Sequence, residues 1–161
     1  TESTPTLTFN KVGRLVSRVV RTRIVSAKSP WALDESVLRP VCHLIPVSHG
    51  EGSVILPEET ARTLFANGQI FSQYVKHEEN VGIFPTMEEP HNPNGSFYAI
   101  EGMTSPDGRV LGKMGHNERT IGIDSNGKSL ELIKNIAGFP VNSSIESSVQ
   151  NIFRAGVRYF S

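Results

Sequence analysis

The sequence predicts an α/β domain: a mixed sheet with hairpins, finished by a C-terminal helix. Three observations carry that reading. Leu15 to Val25 is rich in β-branched residues and roughly alternates apolar with polar, the period of a strand. Thr104-Ser105-Pro106-Asp107-Gly108 separates two further strand patterns, and Pro-Asp-Gly between such runs marks a hairpin. Val149, Ile152, Phe153, Val157 and Phe160 recur at helical spacing near the end of the chain.

The remaining elements follow in order. Residues 1–13 are polar and Thr-rich and read as a loose lead-in. The first strand, 15–25, is broken by Ser29-Pro30-Trp31. The basic run from Arg14 to Arg23, with Arg18 and Arg21 between, alternates with Val and Leu and reads as a half-exposed strand rather than a basic patch. Val41 to Val47 is a short apolar run, expected as a buried strand, and Ser53 to Leu56 resumes extended structure after a glycine-containing interruption. Pro57-Glu58-Glu59 opens a helix, because proline suits the first helical position and acids suit the first turn. Ala61, Leu64 and Phe65 give that helix its apolar face, and Asn67-Gly68 ends it. Gln69 to Val75 is another strand, 76–95 a long loop, and Phe97–Met103 and Arg109–Met114 the arms of the hairpin. Residues 121–144 are polar and irregular, and Ser143 and Glu146 have the spacing of a capping box for the final helix.

Composition bounds the function. A chain of 161 residues with 37% hydrophobic and 20% charged content is large enough for one domain with a core. Sixteen basic and sixteen acidic residues cancel, so the basic excess of a nucleic-acid surface is missing. No apolar run reaches the ~20 residues that span a bilayer. The single cysteine, Cys42, rules out an internal disulfide and fits a reducing cytoplasm.

His116-Asn117-Glu118 is the sharpest chemical candidate. A histidine and a carboxylate two residues apart at a strand end project to one side, the arrangement of a general base and its orienting acid. The plainer reading is a strand-end histidine beside an unrelated glutamate. Such a pair needs a nucleophile, and Cys42 is a poor one: it lies within the apolar run Val41 to Ile45, without the glycine-flanked elbow that exposes a reactive thiol. It reads as a buried structural cysteine. His49-Gly50-Glu51-Gly52 is either a backbone nest for an anion or a plain glycine turn. His77, Glu78, Glu79, Glu88, Glu89 and His91 suggest either a divalent-metal cluster or a solvated charged loop; their spacing is not diagnostic, and no metal is expected. The Asn142-Ser143-Ser144 sequon matters only in a secreted protein.

Taken in succession, Pro46-Val47-Ser48-His49-Gly50-Glu51-Gly52, Asn92-Pro93-Asn94-Gly95-Ser96 and the stretch from Gly102 to Arg119 resemble the glutamine amidotransferase domain of phosphoribosylformylglycinamidine synthase, a purine-biosynthesis enzyme. The last residues, Phe153 to Phe160, are similar to that enzyme's C-terminus. The resemblance runs from about Gly13 to Ser161. It implies a class I amidotransferase sandwich, flavodoxin-like and three-layered, with a Cys-His-Glu triad. His116 and Glu118 would be the base and its orienting acid. His49, Gly50, Glu51 and Gly52 would lie beside the glutamine pocket and help hold the substrate's amino-acid end.

Two departures stand out. The family's His-Pro-Glu-Arg stretch reads His116-Asn117-Glu118-Arg119 here, and Gly115 stands where the family usually has proline. Both changes remove a restraint on φ from the backbone that aims His116. The family's nucleophilic cysteine sits upstream of the His-Gly-Glu-Gly stretch, and Cys42 matches no catalytic position. Residues 14–161 therefore read as the C-terminal portion of an amidotransferase domain, without its nucleophile-bearing N-terminal part. The implied parent hydrolyses glutamine, and a synthetase domain uses ATP, Mg and the ammonia to make formylglycinamidine ribonucleotide. The residues in hand need no cofactor and are expected to be inactive alone. A partial sheet leaves an open edge and an uncovered apolar face, so the expected partners are the missing half, the synthetase domain or a second copy. A catalytically inactive binding or structural module that keeps the amidotransferase shell is the rival reading. A hydrolase binding a metal through His49, His91 and His116 is a third.

Overall fold

A computed structural model describes residues 4–32, 42–78, 81–119, 146–147 and 152–161. Nine strands and two α-helices lie among them: β1 (Thr6–Phe9), β2 (Val16–Ile24), β3 (Cys42–His49), β4 (Glu51–Ile55), α1 (Glu58–Ala66), β5 (Ile70–Glu78), β6 (Gly82–Pro85), β7 (Ile100–Thr104), β8 (Leu111–Lys113), β9 (Glu146–Ser147) and α2 (Ile152–Phe160). The main sheet has the order β8-β7-β5-β2-β3-β9, with β6 paired to β5. Its pairings are antiparallel except β3 with β9, so the sheet is mixed as the sequence predicts.

β2 is the axis of this sheet. It runs against β3 from Val16↔His49 to Thr22↔His43 and against β5 from Thr22↔Tyr74 to Ile24↔Ser72. Its C-terminal half is buried, and even Arg21 retains only 8% exposure. β3 is buried from Cys42 to Val47 because it is covered on both faces; Cys42, Leu44 and Ile45 are completely buried, and His43 retains little exposure. The Pro-Asp-Gly turn joins β7 and β8 in the register Gly102↔Lys113 to Thr104↔Leu111.

Among the described residues the core falls into three clusters. Val20, Val47, Tyr74 and Ala99 form one, with Met114 against it. Val54, Leu56, Ala61, Ile70 and Ile100 form a second, which α1 closes through Ala61 and Leu64. Ile24, Phe71 and Ile152 form the third, with Trp31 beside them. Each large side chain so buried contributes about 1.5–3 kcal/mol. The exposed ion pair Arg62–Glu58 on α1, at 2.5 Å, adds at most about 0.5 kcal/mol.

Several expectations need correction. The lead-in is not loose throughout: Thr6–Phe9 pairs antiparallel with β4, Thr6↔Ile55 to Thr8↔Ser53, forming a second small sheet. Thr-Leu-Thr-Phe already alternates, and its partner is distant in sequence. Within the expected loop 76–95, β5 continues to Glu78 and Gly82–Pro85 returns along it as an edge strand. Phe97–Ala99 is a 3-10 turn rather than the start of a strand, with Tyr98 and Ala99 at φ of 54° and 58°; the Gln73 side-chain amide donates to the Tyr98 carbonyl at 2.7 Å and holds it. Pro57 is the N-cap residue of α1 rather than its first helical residue.

Glu146 lies in β9, so it does not start the final helix; Ser143 and Val149 fall outside the described residues. The buried face of α2 is Ile152, Ala155 and Gly156, whereas Phe153, Val157 and Phe160 are exposed. Small residues win that face because the Trp31 ring lies flush against the helix: a Cβ on Gly156 would come within 2.4 Å of it. The sequon and the irregular 121–144 segment also lie outside the described residues.

Candidate functional site

β3 ends at His49, and the chain leaves the main sheet at Gly50 to form β4 of the small sheet. The His49–Gly52 segment is thus a corner between sheets. Glu51 is exposed and Gly52 is fixed within β4. The Gly52 carbonyl accepts from Ser96 Oγ at 3.1 Å, and Asn94 packs on its α-carbon so closely that a Cβ there would meet Nδ2 at 2.0 Å. Asn94 in turn accepts from the Tyr74 hydroxyl at 2.8 Å and donates to Asn10 Oδ1 at 2.7 Å. Asn92 Oδ1 takes the N–H groups of Gly95 and Ser96, which shapes that loop. These contacts fix the carbonyl side and the α-carbon of Gly52 in a glycine corner.

His116 reaches the same corner from the other side. It follows β8 and precedes a 3-10 turn, Asn117–Arg119. Its Nδ1 lies 2.6 Å from Glu118 Oε1. A carboxylate only accepts, so Nδ1 is the donor, and in the neutral ring Nε2 is the nitrogen that keeps the lone pair. Nε2 is covered and makes no hydrogen bond among the described residues. The His49 and His116 rings stack, with centroids 4.8 Å apart and planes 12° from parallel. His49 Nε2 is tied to the Met114 carbonyl at 2.6 Å, which fixes its ring beneath His116. Partial burial pushes the Glu118 carboxyl up, but the hydrogen bond from His116, its own backbone contact and the nearby charges of His116 and Arg119 outweigh it and hold the group below the usual glutamate value. Glu118 is therefore ionised at neutral pH.

The expected same-side projection of His116 and Glu118 holds, but a tight turn produces it, not strand alternation. The backbone is also firmly placed where the sequence suggests a loss of restraint. Met114 N–H donates to the Glu101 carbonyl at 3.0 Å, Gly115 N–H to Glu101 Oε1 at 2.6 Å, and His116 N–H to the Pro46 carbonyl at 2.9 Å. Glu101 and Lys113 escape the sequence reading. Their signal was present: Glu101 is a charge inside the apolar strand Ile100 to Met103, and the hairpin register sets Lys113 opposite its neighbour Gly102.

Cys42 is 0% exposed at the far end of β3 from His49. His49 and His116 come together, but as a stacked pair, and no group of three or more metal-binding side chains forms among the described residues. In the charged segment, Lys76 engages Glu78 at 2.9 Å and Glu88 at 3.8 Å, so those carboxylates are partnered. A cavity of about 360 Å³ borders Lys113 and Met114 and is walled mainly by Leu7, Val54, Ile100 and Met103; neither His116 nor Glu118 lines it. No described helix is long and apolar enough to cross a membrane.

Comparison with known proteins places the chain among its relatives. Phosphoribosylformylglycinamidine synthase subunit PurQ of Methanococcus maripaludis (strain C7) is 38% identical over 120 residues, covering 73% of this chain and 42% of that protein. The subunit of the same name from Treponema denticola is 37% identical over 119 residues, covering 72% and 42%. The chain thus spans about 42% of the length of these relatives. The structure of PurLQS from Thermotoga maritima superposes with a TM-score of 0.58 at 19% identity, covering 98% of this chain and 54% of that one, so the two chains share a fold. Residues 1–160 match the CobB/CobQ-like glutamine amidotransferase domain, and the chain belongs to that family.

Proposed function

We propose that this chain supplies the general base and the orienting acid of a glutaminase that serves formylglycinamidine ribonucleotide synthesis. The observation that carries the reading is the 2.6 Å contact between His116 Nδ1 and Glu118, with no hydrogen-bond partner for Nε2 among the described residues. In that tautomer Nε2 accepts the proton of a cysteine thiol as sulfur attacks the carboxamide carbon of glutamine. The same nitrogen then protonates the departing ammonia. Glu118 holds the ring and stabilises its protonated form, the role of the acid in triads of this kind. The corner at His49, Gly50, Glu51 and Gly52 borders the glutamine pocket. The Ser96 hydroxyl on the Gly52 carbonyl and Asn94 against the Gly52 α-carbon set the shape of that corner.

The nucleophile comes from outside these residues, since Cys42 is wholly buried. The partners are the nucleophile-bearing part of the domain and an ATP-dependent synthetase that takes the ammonia; ATP and Mg act there, and His116 chemistry requires no cofactor. The names of the relatives, a synthase subunit and a PurLQS assembly, support this placement. Exposed Phe9, Leu15, Val157 and Phe160 are consistent with further apolar packing, either with that missing part or with a second copy.

The test is ammonia release from glutamine by the chain alone and after mixing with the N-terminal part of a PurQ relative. The chain alone stays at background. The mixture turns over, loses about a thousandfold or more in His116→Ala, and is retained in Cys42→Ala. Activity of the mixture that survives His116→Ala refutes the assignment. Burial of the only cysteine also favours a second reading, a module that binds or supports a partner without catalysis. A mixture that assembles but never releases ammonia would select it.

A further inference from the structure

The backbone that carries His116 is gripped by a buried ion pair. Glu101 has no exposed side-chain surface and Lys113 only 7%. Glu101 Oε1 faces Lys113 Nζ at 3.3 Å and at the same time accepts the Gly115 N–H at 2.6 Å. Its other oxygen accepts from the Ser72 hydroxyl. Lys113 Nζ donates to Asn117 Oδ1 at 2.8 Å and to the Gly115 carbonyl at 3.3 Å. The pair therefore holds the residue before His116 through its N–H and its carbonyl, and the residue after it through its side chain.

Gly115 is fitted to this grip. A Cβ there would lie 2.8 Å from both Glu101 Oε1 and Lys113 Nζ, and 2.2 Å from Ile45 Cγ2. Only a residue with an N–H and no side chain satisfies the site. A buried pair that merely filled the core would be a poor source of stability, because desolvation offsets its attraction. What this pair does have is a set of hydrogen bonds converging on one short segment. We propose that Glu101 and Lys113 are positioning residues that lock the Gly115–Asn117 backbone and thereby aim the His116 imidazole at Glu118. The proposal rests on the reading of His116 as the base for its catalytic meaning, but not for the grip itself.

The test reads the imidazole directly. In the 161-residue chain, long-range nitrogen–proton NMR reports which ring nitrogen of His116 carries the proton. Wild type should populate the Nδ1–H form that Glu118 selects. Glu101→Leu removes the acceptor of the Gly115 N–H, and Lys113→Met releases Asn117; each should lower the ratio of the Nδ1–H to the Nε2–H form by roughly fivefold. Glu101→Gln keeps an acceptor for Gly115 and should retain most of the wild-type ratio. Ile152→Val, a core change in another cluster, lowers stability without moving the ratio. Lys113→Met keeps the test decisive should Glu101→Leu fail to fold. An unchanged ratio in folded Lys113→Met, or an equal shift in Ile152→Val, overturns the proposal. Loss of the amidotransferase assignment registers separately, in ammonia release by the mixture, and leaves this ratio untouched.

Discussion

Gly115→Ala concentrates the physics of the site in one methyl group. Built on the existing backbone, the new Cβ sits 2.2 Å from Ile45 Cγ2, where ordinary carbon contacts begin near 3.5 Å. Ile45 is fully buried and cannot swing into solvent. The alternative is to move the 115 backbone, which lengthens the 2.6 Å bond to Glu101 and spreads the Glu101–Lys113 pair. Overpacking costs typically 1–3 kcal/mol, and weakening a hydrogen bond to a buried charge adds about 1.5 kcal/mol. A loss of about 3 kcal/mol follows, or about 6–12 °C in Tm for a domain of this size. Circular dichroism melts and urea titration measure it. Gly112→Ala, three residues earlier in the chain with open space around it, is the control and should stay within about 0.5 kcal/mol. Ile45→Ala removes the clashing methyl, so the double variant Ile45→Ala, Gly115→Ala should be more stable than the sum of the single losses by about 1 kcal/mol or more. A Gly115→Ala protein as stable as wild type, or strict additivity with Ile45→Ala, would refute the steric account.

Further outcomes concern the groups around this segment. Gly52→Ala drives Asn94 from its place and should cost about 2 kcal/mol, with the Tyr74–Asn94 bond lost; a melt and the Tyr74 hydroxyl proton signal check it. Burial, reinforced by the Glu101 carboxylate, raises the Tyr74 phenol well above its ordinary value of 10.0. Below 10.0 its contribution is intact; as pH rises above 10.0 the unfolded chain gives up a proton that the folded chain keeps, so stability falls, and Tyr74→Phe should flatten that alkaline decline in urea titrations. Glu118 has the opposite sign. Its folded value is lowered, so the His116 contact is complete above 4.5, the ordinary glutamate value, and disappears as pH drops through the lowered folded value; the His116 ring signals follow it. In the complemented enzyme, Glu118→Gln should reduce kcat far more than it changes KM, because the ring loses its orienting charge and not its substrate contacts.

The parts of the fold that were legible are those set by local pattern. The β-branched run of β2, the Pro-Asp-Gly hairpin and the proline-and-acid start of α1 each declare themselves within a few residues. What stayed hidden depends on distant partners. β1 is four residues long and exists because β4 lies beside it. The left-handed turn at Tyr98 and Ala99 depends on an amide from Gln73. In α2 the aromatic residues suggested the buried face, yet Trp31, more than a hundred residues earlier, demands the small ones. The same division runs through the site. His116 and Glu118 are two residues apart and were visible; Glu101, Lys113 and Gly115 meet only after the hairpin closes.

That closure changes the meaning of Gly115 and Asn117. As sequence they are a loss: two positions without the fixed φ that proline would impose. In the folded chain proline at 115 has no N–H to give Glu101, and its ring would occupy the space of Ile45 and Lys113. Asn117 likewise offers the Oδ1 that Lys113 holds. The glycine, the asparagine and the buried pair are therefore one arrangement, and none of them is interpretable alone. Restraint by φ is insensitive to neighbours, whereas restraint by a buried ion pair fails when either partner is lost. Placing Pro at 115 in the wild-type background should consequently damage the site, and should be tolerated only where Ile45, Glu101 and Lys113 are replaced together by smaller uncharged residues. Tolerance of Gly115→Pro with the ion pair intact, read from His116 ring signals, would show that the two forms of restraint are not alternatives.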